Sequence, residues 1–244
     1  MPDHPIARTV DRHRLYEASV QSEDHCLRFL RRAYRNRFGR GFTRLREDFC
    51  GTALVACDWV RRHPSYRAWG VDLDRPTLEW AAEEHVSRLG AAADRLELIH
   101  GDVLHTPTPP AEIVTAFNFS YCVFKEREVL LRYLRTAHAQ LGTRGLFACD
   151  LFGGFGAMRA NLEKRKLPAT IDRDGVELPP FTYEWEQARF NPISHDILCR
   201  IRFAFRDGSR RDRAFTYDWR LWTLPELQDL LREYNARQSM NFSY

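Results

Sequence analysis

The chain has 244 residues, a formal net charge of +4 and 29% charged residues, with a mean hydropathy of -0.50. That length suits one α/β domain with a sizeable core, and no apolar run reaches the roughly 20 residues that span a bilayer. The charge is too mild to demand nucleic acid, and the polar start Met1-Pro2-Asp3-His4-Pro5 has no secretory apolar region.

The cysteines (Cys26, Cys50, Cys57, Cys122, Cys149 and Cys199) show no CxxC spacing. They read as reduced thiols of a cytoplasmic protein. Residues 11–38 read as two helices, the second from Asp24 to Phe38 with Leu27, Leu30, Ala33 and Tyr34 on one face. Gly39-Arg40-Gly41 breaks the pattern. Strands are predicted at 42–47, 67–72, 95–100, 112–119 and 145–151, with helices at 53–63, 75–89 and 126–141 between them. Asp74 reads as the N-cap of the second of these helices, with Pro76 in its first turn and Gly90 at its end. Alternation of this kind implies a parallel sheet with right-handed crossovers.

From Phe181 to Trp222 the period becomes two. Phe181, Tyr183 and Trp185 alternate with Thr182, Glu184 and Glu186. Ile201, Phe203 and Phe205 alternate with Arg200, Arg202 and Arg206. A third run holds Phe215, Tyr217, Trp219 and Leu221. With turns at Asn191-Pro192 and Asp207-Gly208, this predicts a three-stranded antiparallel sheet, aromatic on one face and Glu-against-Arg on the other. The aromatic face either packs as core or also roofs a substrate cavity.

The densest signal is Leu45-Arg46-Glu47-Asp48-Phe49-Cys50-Gly51-Thr52-Ala53, followed about 20 residues on by Gly70-Val71-Asp72-Leu73-Asp74. Strand, tight turn, helix, strand and a closing carboxylate form a nucleotide-binding arrangement, because a fixed carboxylate offers two acceptor oxygens to a ribose diol. A dinucleotide is disfavoured, since the G-x-G-x-x-G approach to a pyrophosphate is lacking. Phe49 stands where positive φ is costly, which leaves the turn's geometry open.

Together with His100-Gly101-Asp102-Val103 and Arg220-Leu221-Trp222-Thr223-Leu224-Pro225-Glu226-Leu227, these segments resemble the class I S-adenosylmethionine-dependent methyltransferases over residues 42–232. The resemblance implies a Rossmann-like sheet with flanking helices, an N-terminal helical lid and an auxiliary antiparallel β-sheet, organised as one domain. In that reading 1–41 are N-terminal helices, 42–152 the cofactor core, 153–222 the auxiliary insertion and 223–244 a final helix and short tail. The family's terminal β-hairpin is expected to be missing or incomplete after Arg232, leaving the fifth strand as an uncovered edge.

The implied cofactor is S-adenosyl-L-methionine. Glu47 matches the acid that orients the methionine amino group, and Gly51 the glycine of close backbone approach. Asp72 matches the ribose carboxylate, Asp102 the residue receiving the adenine amino group, with Val103 beside the ring, and Asn118 the position facing the donor methyl. Phe49, Cys50 and Leu73 complete the implied contacts. Tyr16 is a further candidate from the lid, beside Gln21. Arg46 is open between the methionine carboxylate and Asp48.

Candidate catalytic groups are Tyr121, Asp150 and His195, each weighed against packing, capping of the loop Gly153-Gly154-Phe155-Gly156 and an exposed turn, respectively. Methyl transfer to a small-molecule acceptor is the expectation, by a cytoplasmic monomer or homodimer that binds neither membrane nor nucleic acid. An RNA or protein methyltransferase and a non-catalytic binding protein of the same fold stay as alternatives. The histidines lack metal-ligand spacing, so no metal site is expected.

Overall fold

The computed structural model describes residues 5–21 and 23–238. The chain forms two compact units. One comprises Glu23–Tyr121, Glu126–Leu151 and Leu224–Tyr244, and the other Met1–Ser22, Cys122–Lys125 and Phe152–Thr223.

The first unit is an α/β body. Its parallel sheet has the order β3-β2-β1-β4-β5, built from β1 (Arg44–Asp48), β2 (Arg67–Asp72), β3 (Leu96–His100), β4 (Ala111–Ala116) and β5 (Leu141–Cys149). Helices α3 (Glu23–Phe38), α4 (Leu54–Arg61), α5 (Arg75–Glu84), α6 (Arg127–Ala139) and α7 (Leu224–Gln238) complete it. β1 and β4 pair in register Asp48↔Ala116. The strand order reverses between them, and α/β sheets bind ligands outside the carboxyl ends at such a switch point.

The core on one face joins Leu27, Leu30 and Tyr34 of α3 to Phe42, Leu45 and Trp59. Trp59 stacks between Phe42 and Tyr66, with ring centroids 4.2 and 4.0 Å away. Helix α5 ends at Glu84, short of the predicted 89, and passes through 3-10 turns at Val86–Arg88 and Gly90–Arg95, where Gly90 takes φ 56°. Helix α7 runs past Arg232 to Gln238, and no strand follows it among the described residues. The remaining part of the expectation about a terminal hairpin falls on 239–244, outside the described residues.

The second unit is a sheet body. Its antiparallel sheet has four strands, not three, in the order β11-β10-β9-β6. These are β6 (Asn161–Leu167), β9 (Phe181–Phe190), β10 (Asp196–Phe205) and β11 (Arg210–Arg220), and a small hairpin, β7 (Thr170–Ile171) with β8 (Glu177–Leu178), lies between β6 and β9 in the chain. The two-faced pattern is as expected: Arg200 lies opposite Glu186, and Arg202 opposite Glu184. Helices α1 (Ile6–Thr9) and α2 (Arg12–Val20) pack here, with Ala7 and Leu15 in one core with Phe181, Ile201, Phe203 and Phe205. The half-buried Arg211 guanidinium donates to the Ala7 and Val10 carbonyls, and the buried Arg14 pairs with Asp172, so two cations tie both helices to this sheet body.

No helix among the described residues is long and apolar enough to cross a membrane.

Candidate cofactor site

Glu47 and Asp48 end β1 on opposite faces of the sheet, because side chains alternate along a strand. On the first face the Glu47 carboxylate accepts the Ala56 amide at 3.0 Å, within the first turn of α4. The N-cap of that helix, Ala53, has no side chain able to cap, so Glu47 satisfies a donor that would otherwise be orphaned. Glu47 is buried and has no basic partner among the described residues. Burial first, and the nearby Asp72 charge in addition, push its carboxyl up to about 8, against the opposing pull of the Ala56 amide.

On the other face Arg46 is fully buried and donates to Asp48 at 2.7 Å and to the Thr106 carbonyl at 2.8 Å. The Tyr133 hydroxyl donates to the second Asp48 oxygen at 3.0 Å. Of the two partners left open for Arg46, the structure selects Asp48. Its guanidinium is committed to the interior.

Between β1 and α4 the chain turns through two left-handed residues that are not glycine, Phe49 (φ 56°) and Ala53 (φ 54°), together with Gly51 (φ 52°). The positive φ that seemed unfavourable for Phe49 is adopted, and its ring packs on Tyr133 with centroids 5.5 Å apart. Cys50 lies buried over β2. Its amide donates to the Val71 carbonyl at 3.1 Å, and a Cβ on Gly70 would come within 2.9 Å of its Sγ. Burial lifts the Cys50 thiol well above its ordinary range, so it stays protonated filler.

Asp72 ends β2, and Asp102 lies two residues beyond the end of β3. Asp72 accepts Gly51 N–H at 2.7 Å on one oxygen and Asp74 N–H at 2.8 Å on the other. A carboxylate has about four lone-pair directions; the Leu73 amide also faces this one, and acceptor capacity is left for a ligand. The Asp72 carbonyl accepts Gly101 N–H at 2.9 Å, which ties the end of β3 to the end of β2. Asp102 follows at once, with one oxygen on Leu104 N–H at 2.9 Å and Val103 buried beside it. Leu73 projects into solvent, 67% exposed. Asp74 caps α5 through Thr77.

Asn118 (φ 56°) and Phe119 (φ 59°) follow β4 as a second left-handed pair. Their amides donate to the two Asp150 oxygens, each at 2.8 Å, and the Tyr121 hydroxyl donates to the Asp150 carbonyl at 2.9 Å. Asp150 therefore does not cap the glycine-rich loop after β5. Burial raises its carboxyl above the ordinary range, against the pull of the two amides. Four of the six left-handed non-glycine residues among those described follow β1 or β4, at the switch point. Each such residue costs about 1–3 kcal/mol and persists only where its surroundings hold it.

No protein-family model matches the chain, and no curated protein does either. Solved structures do match. An amino pentose methyltransferase of calicheamicin biosynthesis from Micromonospora echinaspora, solved with S-adenosylmethionine bound, superposes with a TM-score of 0.69 at 12% identity, over 91% of this chain and 87% of that one. A sugar N-methyltransferase from Streptoalloteichus gives 0.64 at 15% identity over 93% and 84%. An S-adenosylmethionine-dependent methyltransferase from Clostridium acetobutylicum gives 0.61 at 17% over 94% and 82%. The fold is that of the S-adenosylmethionine-dependent methyltransferases.

Within this methyltransferase fold the sequence-derived candidates divide between the two units. Glu47, Phe49, Cys50, Gly51, Asp72, Leu73, Asp102, Val103, Asn118, Tyr121 and Asp150 belong to the α/β body, and Tyr16 and His195 to the sheet body. The Tyr16 ring lies 5.0 Å from that of Phe215. His195 sits in the β9–β10 turn at φ 61°, stacked on Phe190 with centroids 5.9 Å apart. Among the described residues no group of three or more His, Cys, Asp or Glu side chains is placed to hold a metal ion.

Sequence reasoning quoted Gly70 and His100 within motifs but gave no role to them or to Phe119. The His100 Nε2 lies 3.1 Å from the Leu73 carbonyl, and the Arg75 guanidinium is 3.1 Å from His100 Nδ1, a brace across the loop that carries Asp72. Only the position of His100 next to Gly101-Asp102 could have drawn notice.

Proposed function

We propose that the chain is an S-adenosylmethionine-dependent methyltransferase acting on a small-molecule acceptor. The observation that carries the reading is the hydrogen-bonded series Gly51–Asp72–Gly101, which sets the glycine turn and two carboxylates side by side. Glu47 supplies the fit from the other end: it is a buried carboxyl, raised to about 8 and lacking a cation, and a bound α-ammonium would supply one.

When bound, the cofactor brings an activated sulfonium methyl and a neutral leaving group. Glu47 would hold the amino group and the Gly51 turn the tail. Asp72 would take the ribose diol on the acceptor capacity its carboxylate keeps. Leu73 and Val103 would flank the base, with Asp102 accepting from its amino group. Asn118 would face the reacting end. The chain's work is then alignment for in-line displacement, which supplies roughly 7–11 kcal/mol of a barrier when geometry is good. A general base adds about 10²–10⁴-fold where one is used. We read Tyr121 and Asp150 as serving structure rather than proton transfer, because the bonds between them hold the loop after β4.

The acceptor atom we assign is an amine nitrogen. Two of the superposed enzymes are described as acting on an amino pentose and on a sugar nitrogen, and a neutral amine needs no base before attack. Titration calorimetry with S-adenosylhomocysteine, on the wild type and on Asp72→Ala, tests the cofactor. A screen of amino sugars and simple amines with methyl-labelled cofactor tests the acceptor. A wild type that binds no adenosine-bearing ligand at millimolar concentration would remove the reading.

A further inference from the structure

One residue gathers the whole of the loop after β4. Asp150 accepts from Asn118 N–H and Phe119 N–H through its carboxylate and from the Tyr121 hydroxyl through its carbonyl, three bonds from four consecutive residues. The carboxylate is part-buried, and its two acceptor oxygens match two adjacent amides that a left-handed pair turns in the same direction. Within the loop, Ser120 N–H reaches the Phe117 carbonyl at 3.4 Å and the Ser120 hydroxyl reaches it at 2.9 Å. Two consecutive non-glycine residues at φ 56° and 59° need an external hold, and the Asp150 carboxylate supplies one to both amides.

We propose that Asp150 is a positioning residue, whose carboxylate locks Asn118 and Phe119 in their left-handed conformation and so fixes the loop that faces the reacting end of the cofactor. The proposal rests on the methyltransferase reading for what the loop faces. The lock itself rests on hydrogen bonds within the α/β body. It differs from a proton-transfer role: the carboxylate is needed as an acceptor for two amides, and its loss should be repaired by relieving the backbone.

The test uses Asp150→Asn, Asp150→Asn combined with Phe119→Gly, and Phe119→Gly alone. Amide hydrogen exchange over residues 117–121 is followed, together with calorimetric affinities for adenosine, S-adenosylhomocysteine and S-adenosylmethionine. In Asp150→Asn one carboxylate oxygen becomes an NH₂ facing an amide donor. Exchange in the loop should speed at least tenfold, S-adenosylmethionine should bind about tenfold more weakly, and adenosine should stay within twofold. Glycine at 119 adopts positive φ without strain, so the double variant should regain at least half of the lost affinity.

Unchanged exchange in Asp150→Asn overturns the lock, as does a double variant no better than the single. A parallel loss of adenosine binding overturns the positioning role, because the damage would then be general. A wild type that binds none of the three ligands overturns the methyltransferase reading and with it the purpose given to the lock, while the exchange data still decide whether the lock exists. If Asp150→Asn does not fold, Tyr121→Phe removes one of the three bonds, and a smaller effect in the same direction is expected. No effect there counts against the proposal.

Discussion

The Gly51 amide points at the Asp72 carboxylate across 2.7 Å, joining the turn after β1 to the end of β2. One carboxylate thus shapes the turn and would receive the ribose. Asp72→Ala removes acceptors for both Gly51 and Asp74 along with the ligand contacts. Hydrogen bonds to a charged group are worth about 1.5–3 kcal/mol each, so two lost to the diol should weaken S-adenosylhomocysteine at least ~100-fold. Asp72→Asn keeps one acceptor and should lose less. Equal affinity in Asp72→Ala and wild type, by calorimetry, would contradict the assignment.

Glu47 makes the site a proton-linked one. Its carboxyl, raised from 4.5 to about 8 by burial and by Asp72, holds a proton in the folded chain over a range where the unfolded chain has lost it. The stability it contributes is therefore full below 4.5 and is lost as pH rises through about 8, with a slope of about 1.4 kcal/mol per pH unit for one proton. Glu47→Gln cannot ionise, so its urea midpoint should fall less than that of the wild type between pH ~5 and ~8. A bound ammonium would pull the carboxyl back down, so cofactor binding near neutrality should release close to one proton. Calorimetry in buffers of differing ionisation enthalpy reads this directly, and Glu47→Gln should release none.

The Arg46–Asp48–Tyr133 set holds the other side of the turn, out of water. Arg46→Met strands Asp48 as a buried unpaired carboxylate, which costs about 3–5 kcal/mol. Arg46→Met with Asp48→Leu should recover most of that, since a buried pair gains little over a well-packed apolar one. Tyr133→Phe removes a single hydrogen bond and should cost about 1–2 kcal/mol. Denaturant titrations of the three variants check the order. A double variant as unstable as the single would show that the pair contributes more than mutual neutralisation.

The sequence was most legible where chemistry and local backbone agree. Strand β2 falls at Arg67–Asp72, as alternation and the Gly70-Val71-Asp72 motif imply, and Asp74 caps α5 as its spacing to Pro76 implies. Strand β6 was invisible because Asn161–Leu167 carries Glu163, Lys164, Arg165 and Lys166 in a row. It is an edge strand set by pairing with β9, not by an apolar face. Strand β5 starts at Leu141, ahead of the reading from Gly145, because its pairing with β4 is irregular between Ala111 and Ile113 and the glycines mask it. The positions of Glu47, Gly51, Asp72 and Asp102 were readable because each sits at a strand end or a turn. Phe49 and Asn118 were also named from the sequence, but the left-handed backbone of Phe49, Asn118 and Phe119 was not. What makes their conformations tolerable is Asp48 with Tyr133, and Asp150, and these supports are fixed only by tertiary structure.

Gly70 sets how near the turn can come to the sheet. A methyl there would meet Cys50 Sγ at 2.9 Å, Leu98 Cδ2 at 3.1 Å and Cys50 Cβ at 3.2 Å. The Leu98 methyl and the Cys50 sulfur can turn aside, but the Cys50 Cβ yields only if the turn shifts. Gly70→Ala should therefore cost about 1–3 kcal/mol as an overpacking change, and it should weaken S-adenosylhomocysteine by displacing the Gly51 amide from Asp72. Cys50→Ala removes the sulfur but leaves its Cβ, so Gly70→Ala with Cys50→Ala should regain part of the stability and of the affinity. A double-mutant cycle on both quantities measures the coupling. Strict additivity of the two substitutions would mean that the turn and β2 do not constrain each other through this contact.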